Sequence, residues 1–292
     1  MTLSLFALQI LNGVESGLLL FLVASGLTLI FGVLGVLNFA HGAFYMLGAY
    51  VAYWISERTG SFLAAVLIGL PVMVGLGWLI EKLAISRLYG RDHLAQVLLT
   101  YGLVLVLNDL SRALFGSEVH GVATPAALSG TVALGEAQTW PVYRAFTSLA
   151  CLGVAVAIRQ VLLHTRFGMR VRAGAVNGEM VEALGIDVRR LLSILFAAGA
   201  GLAALAGMLA APLTTVYPGI GDGVLIVSFV VVVIGGIGSV KGAFLGAMLV
   251  GLADTFGKVL LPGLSGAIVY AVMAAVLLFR PRGLFGEPAE AR

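Results

Sequence analysis

Charge is scarce in this chain. Only 11 % of its 292 residues are charged, against 60 % hydrophobic, and the mean hydropathy is +1.07. Soluble domains carry about 25 % charged residues, so a soluble globular fold is excluded and a polytopic membrane protein is expected. Cysteine is almost absent. Cys151 stands alone in an apolar run, which removes both a disulfide framework and a cysteine metal site. The four histidines (His41, His93, His120, His164) lie far apart and on different expected sides of the membrane, against a histidine metal site. The nearest approach to a nucleotide-binding loop, Gly251 to Val259, has the wrong spacing and puts Val where a metal-binding hydroxyl is needed. HExxH and GxSxG are missing as well, so an enzyme is not expected. The pI of 9.2 reflects arginines at membrane edges rather than nucleic-acid binding. No basic region precedes the first apolar run and no cleavage pattern follows it, so that run reads as a retained membrane segment rather than a signal peptide.

Apolar segments are plentiful. They lie at 5–36, 40–56, 62–81, 94–115, 141–163, 191–211, 223–237, 242–260 and 264–279. A helical crossing takes about 20 residues, so the first segment is too long for one straight crossing and 223–237 is too short. The expectation is an all-α polytopic membrane protein with eight or nine membrane segments, some broken or re-entrant. Glycine, at 39 residues, fits helices that approach closely or break inside a bundle. Orientation follows from the basic residues. With the loops 82–93 and 164–190 and the C-terminus cytoplasmic, Lys82, Arg87, Arg91, Arg159, five loop arginines, Arg280, Arg282 and Arg292 fall inside. Arg58, Arg112, Arg144 and Lys258 fall outside, and Lys241 is unassigned. The positive-inside rule favours this arrangement. Charge does not orient the first span, since Glu15 is the only charged residue before Ser56. Residues 116–140 read as the longest external loop.

A weak internal repeat is visible. His41-Gly-Ala-Phe44 returns as Lys241-Gly-Ala-Phe244, each copy after a Gly-rich approach and before a second Gly-Ala pair. Duplicated, broken helices around a midplane site are a transporter design. Two independent small-residue helix contacts give the same pattern.

Polar groups at membrane depth are costly, which makes them functional candidates. Asn38 and His41 sit at the break GVLNFAHG, where they either satisfy freed backbone groups or line a pathway. Asn12 and Glu15 lie near one end of the first span. Asp109 with Arg112, and Asp254 with Lys258, read as local ion pairs at helical spacing. Asn12, Asn38 and His41 are the candidate pathway residues. No acid is clearly at mid-depth, which disfavours a proton- or sodium-coupled carrier.

One internal passage departs from all this. Residues 164–190 hold Arg166, Arg170, Arg172, Arg189 and Arg190 with Glu179, Glu182 and Asp187. Asn177 through Ile186 reads as a short helix, with Asn177 as N-cap, Glu179 and Glu182 in the early turns and Gly185 as the C-terminal stop. Met180, Val181, Leu184 and Ile186 give it more apolar surface than a solvated connector needs, on two arginine-rich arms. Insertion into a groove of another protein and an interfacial helix with arginines on anionic headgroups both fit.

Four motifs together carry a resemblance: GVLGVLNFAHGAFYMLGAY at 32–50, EALGI at 182–186, GGIGSVKGAFLGA at 235–247 and FRPRGLFG at 279–286. Their order and spacing resemble the permease subunit of branched-chain amino-acid ABC importers, the LivH/LivM type, and the short length is more similar to LivH. The resemblance implies one transmembrane permease domain over 1–292, with 164–190 as a coupling loop, in a bacterial inner membrane. It implies a second related permease, two cytoplasmic ABC ATPases that hold the ATP and magnesium, and a periplasmic binding protein delivering Leu, Ile, Val or a related amino acid. No cofactor is implied in this chain. Asn177, Glu179, Met180, Glu182, Ala183, Leu184, Gly185 and Ile186 become the coupling helix, although Leu184 and an early Gly185 depart from the usual ABC permease pattern. Urea or short amides are alternative substrates. A self-sufficient secondary carrier or channel is the rival from another class, and a scaffold role ranks third.

Overall fold

The computed structural model describes residues 3–35, 37–134 and 138–286. Nine helices coincide with the nine apolar segments: α1 (Leu3–Leu34), α2 (His41–Thr59), α3 (Phe62–Leu83), α4 (His93–Phe115), α5 (Val142–His164), α8 (Val188–Ala210), α9 (Ile220–Gly235), α10 (Val240–Leu260) and α11 (Ser265–Phe279). Two short helices, α6 (Arg166–Val176) and α7 (Gly178–Ala183), fill the charged passage. The external loop contains a small antiparallel ribbon, β1 (Thr131–Ala133) with β2 (Thr139–Pro141). Gly135 and Glu136 of that loop, and Arg292, lie outside the described residues. Among the described residues, α1, α3, α4, α5, α8, α10 and α11 are long and apolar enough to cross a membrane.

The overlong first segment is one helix. α1 ends where Gly35, at φ +64°, donates its N–H to the Phe31 carbonyl. A residue with a Cβ would be strained there. The chain then turns back into the bundle before α2 begins. His41 Nε2 meets the Val23 carbonyl at 2.9 Å, and Val23 is about 16 Å from the end of α1 at 1.5 Å per residue. α2 therefore starts about a third of the way back along α1 rather than beyond its end. α9 is the opposite case: the chain leaves α8, pairs Val216 with His120 at the outer rim, and descends until the Gly219 N–H meets Met46 Sδ at 3.2 Å. From there α9 runs to the arginine-rich face.

These two helices, each beginning inside the bundle, reveal a duplication. α1–α4 and α8–α11 pack in matched fashion: α1 on α10 as α8 on α3, α2 on α8 as α9 on α1, and α2 on α3 as α9 on α10. Each helix of one set runs opposite to its counterpart, so the repeat is inverted. Gly42 and Gly221, the second residues of α2 and α9, face each other so closely that a Cβ on either would overlap the other's carbonyl oxygen. Equivalent turns precede α3 and α10: Gly60-Ser61 and Gly238-Ser239, with each serine hydroxyl accepting an N–H of its helix's first turn. The register read from His41–Phe44 and Lys241–Phe244 is thus corrected. Those tetrapeptides start α2 and α10, which are parallel and not equivalent, and they look alike because both helices need small residues at a buried start.

α1, α2, α8 and α9 form the centre, where large side chains give way to small ones. A Cβ at Gly48 would overlap the Ala204 carbonyl, and one at Gly207 the Tyr45 carbonyl. Helix association without a hydrophobic drive depends on such close backbone contact. Gly32 lies against Gly238, and Gly174 near Val33, so the end of α1, the start of α10 and the charged passage share one face. The C-terminal tail joins that face, with Leu284 and Phe285 donating N–H bonds to the Ile234 and Gly235 carbonyls. Lys241 belongs there too.

Candidate functional site

The charged passage folds onto the bundle rather than extending on arms. Thr165 caps α6 by accepting the Gly168 N–H at 3.0 Å, and Val171 packs with Leu191, Leu195, Phe167 and Val33. The first arginine arm is therefore an amphipathic helix seated on α1 and α8. Its signal was present in the sequence, since Phe167, Val171 and Gly174 recur at helical spacing. Asn177 is extended (φ −154°, ψ 93°) and turns the chain between α6 and α7. Its Oδ1 accepts the Met180 N–H at 2.9 Å, the N-cap the sequence indicated. α7 spans Gly178–Ala183, shorter than the expected 177–186. Beyond it Gly185, at φ +82°, donates to the Glu182 carbonyl while Ile186 donates to Val181. That pair of bonds is a Schellman closure. Val181 faces the bundle at 5 % exposure, whereas Met180 and Leu184, one turn apart, are 58 % and 74 % exposed. Glu179, Glu182 and Ala183 are exposed beside them. The result is a small apolar knob with an acidic rim, braced through α6 on α1 and α8.

The second group of candidates lies at the helix break. Asn38 and His41 are both fully buried. The His41 backbone N–H meets the Asn38 carbonyl at 3.2 Å, and the imidazole bonds α1 through Val23. His41 thus fastens the returning chain to α1. Asn38 behaves differently: among the described residues neither atom of its side-chain amide meets a partner. The Thr28 hydroxyl and the Tyr50 phenol are likewise buried and unpartnered. Burying an unmade hydrogen bond costs about 1–3 kcal/mol. Neither α2 nor α9 has a side-chain cap, so two positive helix ends approach each other at Gly42 and Gly221.

Asn12 sits elsewhere. It is near the outer end of α1, about 16 Å along the helix from Val23. Its Oδ1 accepts from Trp140 Nε1 at 3.1 Å and from Arg144 at 3.2 Å. Arg144 also pairs at 2.8 Å with Glu15, which is only 3 % exposed. A cavity of about 380 Å³ opens beside them, lined by Asn12, Glu15, Arg144, Thr214, Asp254 and Lys258. The structure brings Asn38 and His41 together and leaves Asn12 in this separate outer cluster. Arg144 and Trp140 were not singled out from sequence, because a contact between residues more than 120 apart leaves no local pattern. The two local ion pairs stand as read, Asp109–Arg112 at 3.2 Å and Asp254–Lys258 at 2.6 Å.

The arginine-rich face has one further clamp. Glu81, 1 % exposed, accepts from the Tyr89 hydroxyl at 2.7 Å. Burial, then the bond to Glu81, raises the Tyr89 phenol well above its ordinary value, so it stays a donor. Gln96 ties the same turn by donating to the Leu88 and Arg91 carbonyls.

Comparison with known proteins agrees with this arrangement. A family model described as the permease component of the branched-chain amino acid transport system matches residues 9–279. The high-affinity branched-chain amino acid transport permease BraD of Pseudomonas aeruginosa is 31 % identical over 96 % of this chain and 95 % of its own. LivH of Escherichia coli K12 is 32 % identical over 97 % and 96 %. A probable LivM permease of Methanocaldococcus jannaschii is 25 % identical over 92 % and 91 %. No solved structure matches significantly. The relatives are transport permeases, not enzymes, and the helices are those of a multi-pass membrane protein. The chain belongs to the family of branched-chain amino acid transport system permease components, nearer its LivH relatives than its LivM one.

Proposed function

We propose that this chain is one permease subunit of an ATP-driven importer in the cytoplasmic membrane, carrying branched-chain amino acids delivered by an external binding protein. The observation that carries the reading is the exposed knob of Met180 and Leu184, braced through α6 on α1 and α8. The described residues hold no nucleotide-binding loop, and in this reading the moving force comes from a partner. The knob fits a groove on a cytoplasmic ATPase that itself holds ATP and magnesium. A second related permease completes the membrane unit. The positive-inside distribution of the basic residues supports a cytoplasmic knob and C-terminus.

In this reading, ATP binding and hydrolysis shift the population of two arrangements by contacting α7 differently in each. The shift reaches α1 and α8, and from there the glycine crossing between the inverted halves. Asn38 and His41 sit at that crossing, and Asn12 stands at the outer mouth, as the residues serving the pathway. Urea or a short amide is the alternative cargo. A strain lacking this chain, complemented with it, should regain uptake of labelled leucine but not of labelled urea at low external concentration. Restoration of urea uptake alone would replace the substrate assignment.

A further inference from the structure

α5 and α10 both pack on α1, and a furrow of about 340 Å³ runs between them toward the arginine-rich face. Its floor and walls are apolar: Phe21 of α1, Leu152 and Val156 of α5, and Phe244 of α10. Two cations, Arg159 and Lys241, line the same furrow, and both are exposed. Neither makes an ion pair among the described residues. Phe285 of the tail closes that end, held by its N–H bond to the Gly235 carbonyl. None of this belongs to the ATPase knob, the helix break or the outer cluster.

An apolar slot that opens between membrane helices beside two unpaired cations matches one ligand chemistry: an acyl chain joined to an anionic headgroup. A soluble substrate would leave the apolar walls unused, and a neutral lipid would leave the cations unused. Basic pockets between helices on the cytoplasmic side bind anionic headgroups in this way. We propose that the α5–α10 furrow is a binding site for an anionic phospholipid, with its phosphate between Arg159 and Lys241 and an acyl chain against Phe21 and Phe244. This assigns a role to Lys241, and explains why Phe244 follows it at one-turn spacing.

The test uses the purified full chain in detergent, with dioleoyl phosphatidylglycerol or dioleoyl phosphatidylcholine added and bound lipid counted by native mass spectrometry. Two cations of ordinary strength at an anionic surface give a preference for phosphatidylglycerol of roughly thirtyfold. The double variant Arg159→Gln/Lys241→Gln should lose that preference, and the charge-retaining Arg159→Lys/Lys241→Arg should keep it. Ala155→Phe, which fills the furrow and leaves both cations, should also lose it. Arg189→Gln/Arg190→Gln, removing exposed charges on the same face, should not change it. If the Gln variant keeps the wild-type preference, the site is wrong. If Ala155→Phe keeps it, or the Arg189/Arg190 variant loses it equally, the attraction is a general surface effect and the furrow binds no particular lipid.

Discussion

Glu15 and Arg144 have unequal surroundings, and that inequality predicts unequal consequences. Glu15 is 3 % exposed while the Arg144 side chain is 34 % exposed. Removing the arginine strands a buried carboxylate, and removing the carboxylate leaves an arginine that water can reach. Arg144→Met should therefore lower stability by about 3 kcal/mol, the scale of a broken buried pair, and Glu15→Gln by clearly less. Thermal unfolding of the detergent-solubilised protein compares them, and equal losses would show that the pair is not buried as described. Glycines make a second contrast. A Cβ at Gly42 overlaps the Gly221 backbone, whereas a Cβ at Gly75 meets nothing within 4 Å. Gly42→Ala should abolish stable membrane expression and Gly75→Ala should not, as read by the yield of monodisperse protein. Hydropathy identified Asn38 and His41 as expensive residues at a break. It did not separate their fates, because whether a buried polar group finds a partner depends on a distant carbonyl such as that of Val23.

Among the elements, α7 combines an accurate reading with an incomplete one. The Asn177 cap and the Gly185 stop were legible, because capping chemistry is local to four or five residues. The seat that α6 takes on α1 and α8 was not, since it needs Val171 to meet Leu191 and Val33 across the fold. Two predictions belong here. Met180→Glu/Leu184→Glu leaves the buried Val181 side intact, so the permease should still fold while losing ATPase co-purification and ATP-driven uptake together. Retention of both would remove α7 from coupling. Gly185→Pro places a ring where φ is +82° and an N–H bonds the Glu182 carbonyl, so it should uncouple uptake at least as severely. The short spans follow the same division. Segment 223–237 was visibly too short for a crossing, but only the meeting of Gly42 with Gly221 shows that α2 and α9 are two halves of one device.

At the scale of the whole molecule, the membrane class came directly from composition, because lipid imposes it through solvation alone. The inverted duplication was invisible in detail. Counterpart helices keep their order and packing partners but run in opposite directions, and the four-residue likeness between Lys241–Phe244 and His41–Phe44 pointed instead to two parallel helices that are not equivalent. The assembled picture is a bundle of two opposed halves joined at a glycine crossing, with α7 as the proposed point at which it is moved. Its central claim is that transport draws on a partner's ATP and not on an ion gradient. The direct measurement is uptake of labelled leucine into proteoliposomes, with this chain alone or with its partner permease, ATPases and binding protein. The account predicts uptake only in the complete assembly with ATP present, unaffected by collapsing proton and sodium gradients. Uptake by this chain alone, driven by an ion gradient without ATP, would contradict it.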